Sequence, residues 1–204
     1  AFAFPSVTRQ TLGNGMQVQV VPLRRLPVAT ILLMFDAGAE CDDVERAGVA
    51  AVTADALAEG TRRLGAVALS EAFEQLGGSL DTGVTWSYAE ASTTVLSSRL
   101  GEAMQLLAEV VREPAFPEGE VARLREERLA ELLQQRAEPR GLADDVFARL
   151  CFAEDSRYAR PDGGDEASVA RITREHVVAH HARFLVPLRA TLIVVGDVPV
   201  DGVM

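Results

Sequence analysis

Lysine is absent: all 20 basic residues of this 204-residue chain are arginine. That excludes Schiff-base and lysine-nucleophile chemistry. Cysteine is scarce, with only Cys41 and Cys151, far apart in the chain. They form no disulfide framework, read as two buried thiols, and assign no redox compartment. Positive charge is outnumbered by 30 acidic residues, giving a net charge of −10. Such a surface repels phosphate backbones and anionic lipid, which speaks against nucleic-acid and membrane-surface partners. No apolar run reaches the roughly 20 residues of a membrane span. The longest, Val28 to Phe35, is broken by Thr30 and has strand length. G-x-G-x-x-G, P-loop, G-x-S-x-G and C-x-x-C motifs are all missing. Nucleotide, serine-hydrolase and thioredoxin-like readings therefore have no support.

What is present is a globular composition, 48% hydrophobic and 25% charged, long enough for one large domain. The start, Ala1-Phe2-Ala3-Phe4-Pro5, carries no cleavable signal and is compatible with processing at an Ala-x-Ala site. Met16 to Val21 alternates with period two after the turn signal Gly13-Asn14-Gly15. Val28 to Asp36 follows as a more continuous apolar strand, and the two read as a hairpin-like pair. Gly48 to Ala58 reads as a helix stopped by Gly60, and Ser70 as the N-cap of a helix over Glu71 to Leu76. Strands are expected over Ser79 to Thr85 and Ser87 to Leu96. Helices follow over Leu100 to Arg112, Glu118 to about Arg136 and Leu142 to Phe152, with Pro139 and Gly141 as the break. An extended loop runs from Asp155 to Asp165. Thr173 caps a last helix through Phe184, and Leu192 to Val195 is a short buried strand. The pattern predicts an α+β fold with one mixed, mostly antiparallel sheet and helices packed on one face.

Several segments, in this order, resemble the pitrilysin/insulinase family of zinc metallopeptidases. They are Gly13-Asn-Gly-Met-Gln-Val18, Phe35-Asp-Ala-Gly-Ala39, Gly48-Val-Ala50, Glu59-Gly-Thr61, Leu76-Gly-Gly78, Pro114-Ala-Phe-Pro117 and Val194-Val-Gly-Asp197. The family's catalytic signature is the inverted zinc motif H-x-x-E-H, on the helix between the Gly-x-Ala and Gly-Thr segments. Two His at i and i+4 share a helix face and hold Zn²⁺, and the Glu takes a proton from bound water. With the register fixed by Gly48 and Gly60-Thr61, the first His position falls on Ala51, the base on Ala54 and the second His on Asp55. Glu131, eight residues before Pro139, matches the third ligand. Of the ligand set only Glu131 is retained. The resemblance thus implies no catalytic residue and no bound cofactor here, with zinc belonging to the active relatives.

Other polar groupings have plainer readings. His176 and His180, at i and i+4 with His181 alongside, lack a third ligand and read as packing, with a metal held on one helix face as the alternative. Trp86 and Tyr88 read as packing in adjacent strands, with a ligand platform as the alternative. Asp55 and Glu131 read as a solvated pair, with acid/base work by a paired carboxylate as the alternative. Asp81, Thr82 and Gly83 match the family's edge strand, which in active members receives extended peptide by strand addition; an ordinary blunted edge is the alternative. The resemblance implies a single peptidase-like domain over residues 1–204, the first of a longer two-domain protein. It further implies the non-catalytic partner of an active zinc-peptidase subunit or second domain in peptide degradation, exported to the periplasm. Two alternatives remain: a working zinc endopeptidase with atypical ligands (Asp55, Glu131 and a His from the cluster), or an assembly module unrelated to proteolysis.

Overall fold

The computed structural model describes residues 5–153 and 156–200. The start at residues 1–4, read as compatible with processing, and the first residue of the expected loop, 155, lie outside them. Among these residues six strands form one sheet: β1 (Thr8–Thr11), β2 (Gln17–Pro22), β3 (Val28–Phe35), β4 (Asp81–Val84), β5 (Ala89–Leu96) and β6 (Ala190–Gly196). Among the described residues seven α-helices accompany them: α1 (Val49–Ala56), α2 (Ala66–Gln75), α3 (Leu100–Arg112), α4 (Glu118–Ala137), α5 (Pro139–Cys151), α6 (Glu166–Val169) and α7 (Arg174–Phe184). The strand order is β1-β2-β6-β3-β5-β4, antiparallel throughout except for the parallel β2–β6 pair. This is the mixed α+β architecture that the sequence predicts.

The pleat sorts the sheet into two faces. Ile31, Phe35, Ala91, Val95 and Ala190 point into the main core, where they meet Leu69 and Phe73 of α2, Leu107 and Val110 of α3 and Val177 of α7. Val18, Val20, Ala29 and Val194 close a second cluster on the same sheet. Alternate positions, among them Val21, Leu32, Met34, Ile193 and Val195, fall on the other face and are only half-buried. Glu90, Ser92 and Thr94 of β5 share that face with them.

Three local expectations are corrected. β2 and β3 are not a hairpin-like pair, because β6 lies between them, parallel to one and antiparallel to the other. The true hairpin is β1–β2, whose turn holds Gly15 at φ +88° and has the Met16 N–H donating to Asn14 Oδ1 (3.1 Å). α2 starts at Ala66 after an extended Gly65, not at Ser70. Its apolar positions Leu69 and Phe73 reach one turn further back than the cap signal suggested. Cys41 is half-buried and Cys151 exposed, so neither is a core thiol; both are free.

Candidate functional site

α1 carries the segment that would hold the zinc motif, and Asp42 anchors its start. Gly48, at φ +98°, precedes the first turn. Its N–H donates to Asp42 Oδ2 (2.8 Å), and the Ala50 N–H donates to Asp42 Oδ1 (3.2 Å). A carboxylate here answers the unpaired amides of a helix N-terminus. Every residue of α1 is buried except Asp55. Ala51 is 9% exposed and Ala54 2%, so the two methyl groups are packed. The helix rests against both β4 and α4. The positions of Ala51, Ala54 and Asp55, the edge strand bearing Asp81, Thr82 and Gly83, and the helix bearing Glu131 thus share one region of the fold.

α4 brings arginine to that region. The Arg128 guanidinium donates through Nη1 to Glu131 Oε2 (3.0 Å) and through Nε to the Gly163 carbonyl (3.2 Å). One turn earlier Arg123 binds Glu120, Glu127 and, across the helix interface, Glu59. The Asp55 carboxyl is raised above the usual carboxylate range, first by loss of part of its water shell and then by the Glu131 charge, with Arg128 opposing. Zinc of the family's kind does not fit these residues. Ala51 and Ala54 offer no donor atom, and the carboxylate of Glu131 is already engaged by a guanidinium. Among the described residues no three His, Cys, Asp or Glu side chains converge as a metal site.

The histidines are dispersed into structural roles. His176 Nδ1 accepts from the Thr173 N–H (3.2 Å) and closes the start of α7. His181 Nε2 lies 2.7 Å from the Val111 carbonyl, tying α7 to α3. His180 is buried with its Nδ1 3.8 Å from Asp42 Oδ1, while its Nε2 has no protein partner. Burial pushes the Asp42 carboxyl up to about 7 and the His180 imidazole down to about 4. Both shifts favour the uncharged forms of the two side chains. A cavity of about 80 Å³ beside them is lined by Cys41, Arg46, His176 and Arg183. Trp86 sits in the β4–β5 turn and packs on Tyr158, with ring centroids 5.1 Å apart.

Sequence reasoning missed Arg128, Gly163 and the Asp42–His180 pair. It also missed an apolar cleft of about 780 Å³ between the sheet, α3 and α7, lined by Met16, Leu33, Met104, Leu107, Leu185 and Leu192. A capping carboxylate six residues before the N-cap glycine, as with Asp42, has no simple motif; Arg128 and Gly163 are joined only by the fold.

A family model described as Insulinase (Peptidase family M16) matches residues 23–154. The non-peptidase homolog YmxG of Helicobacter pylori is 26% identical over 176 residues, covering 86% of this chain and 40% of that protein. An uncharacterized zinc protease of Mycobacterium tuberculosis is 26% identical over 196 residues, covering 96% of this chain and 44% of that protein. Among solved structures, a peptidase M16 inactive domain from Pseudomonas fluorescens superposes with a TM-score of 0.91 at 30% identity, covering 97% of this chain and 48% of that one. The first half of the periplasmic protease PqqL from Escherichia coli superposes at 0.85 and 19% identity, covering 98% and 45%; at that identity the likeness is one of fold. The chain spans less than half the length of each of these proteins.

Proposed function

The chain belongs to the insulinase family, peptidase family M16, and from that premise we propose that it is a peptidase-like domain without catalytic activity of its own. The observation that carries this reading is α1: alanine stands where the family's first zinc ligand and its general base would be, and Ala54 is sealed into the packing. Hydrolysis by this chemistry needs a metal-bound water and a base within hydrogen-bond reach. Ala51 and Ala54 supply neither. The names borne by YmxG and by the Pseudomonas domain, a non-peptidase homolog and an inactive domain, agree with it.

The role we assign is that of a non-catalytic half working beside an active zinc peptidase, either a separate subunit or a second domain of the same protein. The sheet face bearing Val21, Leu32, Met34, Ile193 and Val195 supports this, since it is apolar and half-buried with a polar margin. The chain would then be the first domain of a longer protein, as the relatives' doubled length suggests. β4 is an edge strand beside α1, which supports the reading of Asp81, Thr82 and Gly83 as the segment to which an extended peptide would add. The −10 charge favours basic peptides over acidic ones. By kinship with proteins such as PqqL, an exported, periplasmic location is expected.

Co-expression with an intact-motif relative encoded nearby tests the reading. A stable complex and a rise in that relative's peptidase activity are expected. Separate migration, with the relative equally active alone, would sink the partner role and favour an assembly module.

A further inference from the structure

The space between α1, α4 and the 160–165 loop holds a cation of the protein's own. The Arg128 side chain is three-quarters buried there, whereas its partner Glu131 is largely exposed. Two of its nitrogens are fixed, one by a carboxylate and one by the backbone carbonyl of Gly163. Gly163 is itself the condition for this seat: a Cβ at that position would overlap the guanidinium. The residue is glycine although its backbone is not left-handed, so conformational freedom does not explain the choice; room for Arg128 does. Gly164 beside it is held against the Ala47 carbonyl, and Gly48 against the Gly163 carbonyl. The loop, the start of α1 and the arginine therefore pack as one unit.

We propose that Arg128 is the resident cation of the degenerate site, seated through Gly163, where it pairs with the carboxylate of Glu131 and bars a divalent metal from it. A guanidinium suits this task better than an ammonium would. It stays charged at any physiological pH, and its planar fork engages a carboxylate and a carbonyl at once. A dication approaching Glu131 has to displace an existing charge-assisted hydrogen bond and endure repulsion from a fixed positive charge. Restoring the three motif residues is then insufficient to restore metal binding. The site keeps one ligand of the set, Glu131, and holds an internal substitute for the ion.

This inference rests on the reading of Ala51, Ala54, Asp55 and Glu131 as the family's motif positions, and one set of variants separates the two. Ala51→His, Ala54→Glu and Asp55→His are combined, with and without Arg128→Met. Zn²⁺ alone is titrated against a chromogenic chelator, after circular dichroism has shown each variant folded. Removal of Arg128 is expected to tighten zinc at least tenfold in the triple variant, and Glu131→Ala to abolish that gain. Equal affinity with and without Arg128, or zinc bound by neither, overturns the resident-cation proposal. Tight zinc that ignores Glu131→Ala overturns the placement of the site instead. The natural chain provides a second measurement that needs no rebuilt motif. The Arg128 Nε–H should exchange with solvent at least tenfold more slowly than that of exposed Arg62, and Gly163→Ala should erase the difference. An Arg128 signal that exchanges as fast as Arg62 in the natural chain refutes the seat.

Discussion

Asp42 and His180 should trade one proton on folding, and their single variants should expose it. In the unfolded chain between about pH 4 and 6.5, an aspartate is ionised and a histidine is protonated. In the fold the carboxyl is raised to about 7 and the imidazole lowered to about 4. Arg157 and Asp43 act on the carboxyl, and His181, Arg183 and Arg189 on the imidazole, but burial dominates both. A raised carboxyl gives stability that is present at low pH and lost as pH rises through about 7. A lowered imidazole gives stability that is present above 6.5 and lost as pH falls through about 4. The two slopes oppose, so their joint contribution is nearly flat. Each alone is worth about 1.4 kcal/mol per pH unit, or roughly 3 kcal/mol across the shared window. Asp42→Asn retains an acceptor for the Gly48 and Ala50 amides but removes the acid. Its stability relative to the natural chain should rise with pH between 4 and 7. His180→Gln should show the opposite trend, losing relative stability as pH rises from 4 to 6.5. Urea unfolding followed by circular dichroism at half-unit intervals measures both. Flat difference curves for both variants, or slopes of reversed sign, would refute the buried neutral pair.

Three further perturbations follow from the packing. Phe73→Ala empties a fully buried ring site under the sheet and should cost about 3–5 kcal/mol in chemical denaturation. Thr61→Val removes the hydroxyl that donates to Glu109 (2.6 Å) and accepts from the Leu64 amide (3.0 Å); a loss of about 1–3 kcal/mol is expected by the same assay. Gly48→Ala forces a side chain onto a backbone at φ +98°, with its Cβ 2.6 Å from the Gly163 carbonyl. A cost of about 1–3 kcal/mol or more is expected, with amide exchange accelerated first at the start of α1.

The parts legible in the sequence were those with a short-range signal. Period-two alternation located β2, and the continuous run located β3 almost to the residue. Gly48 and Gly60 bracketed α1, and Pro139 marked the break between α4 and α5, where it stands in the first turn of the new helix. Long-range choices were not legible. The insertion of β6 between β2 and β3 depends on pairing across some 170 positions, for which neither neighbouring strand carries a local mark. β1 was passed over because Thr8–Thr11 is exposed at every position and shows no apolar alternation. At the candidate site, the assignment of the motif positions to Ala51 and Ala54 came from the family resemblance, aligned through Gly48 and Gly60-Thr61. Nothing in the sequence sets Arg128 apart from the other charges of α4, because the carbonyl that holds it lies 35 residues away.

The most direct measurement of the central claim is the zinc content of the purified chain together with its peptidase activity before and after chelation. The account predicts well under one zinc per chain and no cleavage of unstructured peptides at any chelator concentration. One tightly held zinc per chain, with peptide cleavage that disappears on chelation and returns with zinc, would contradict it.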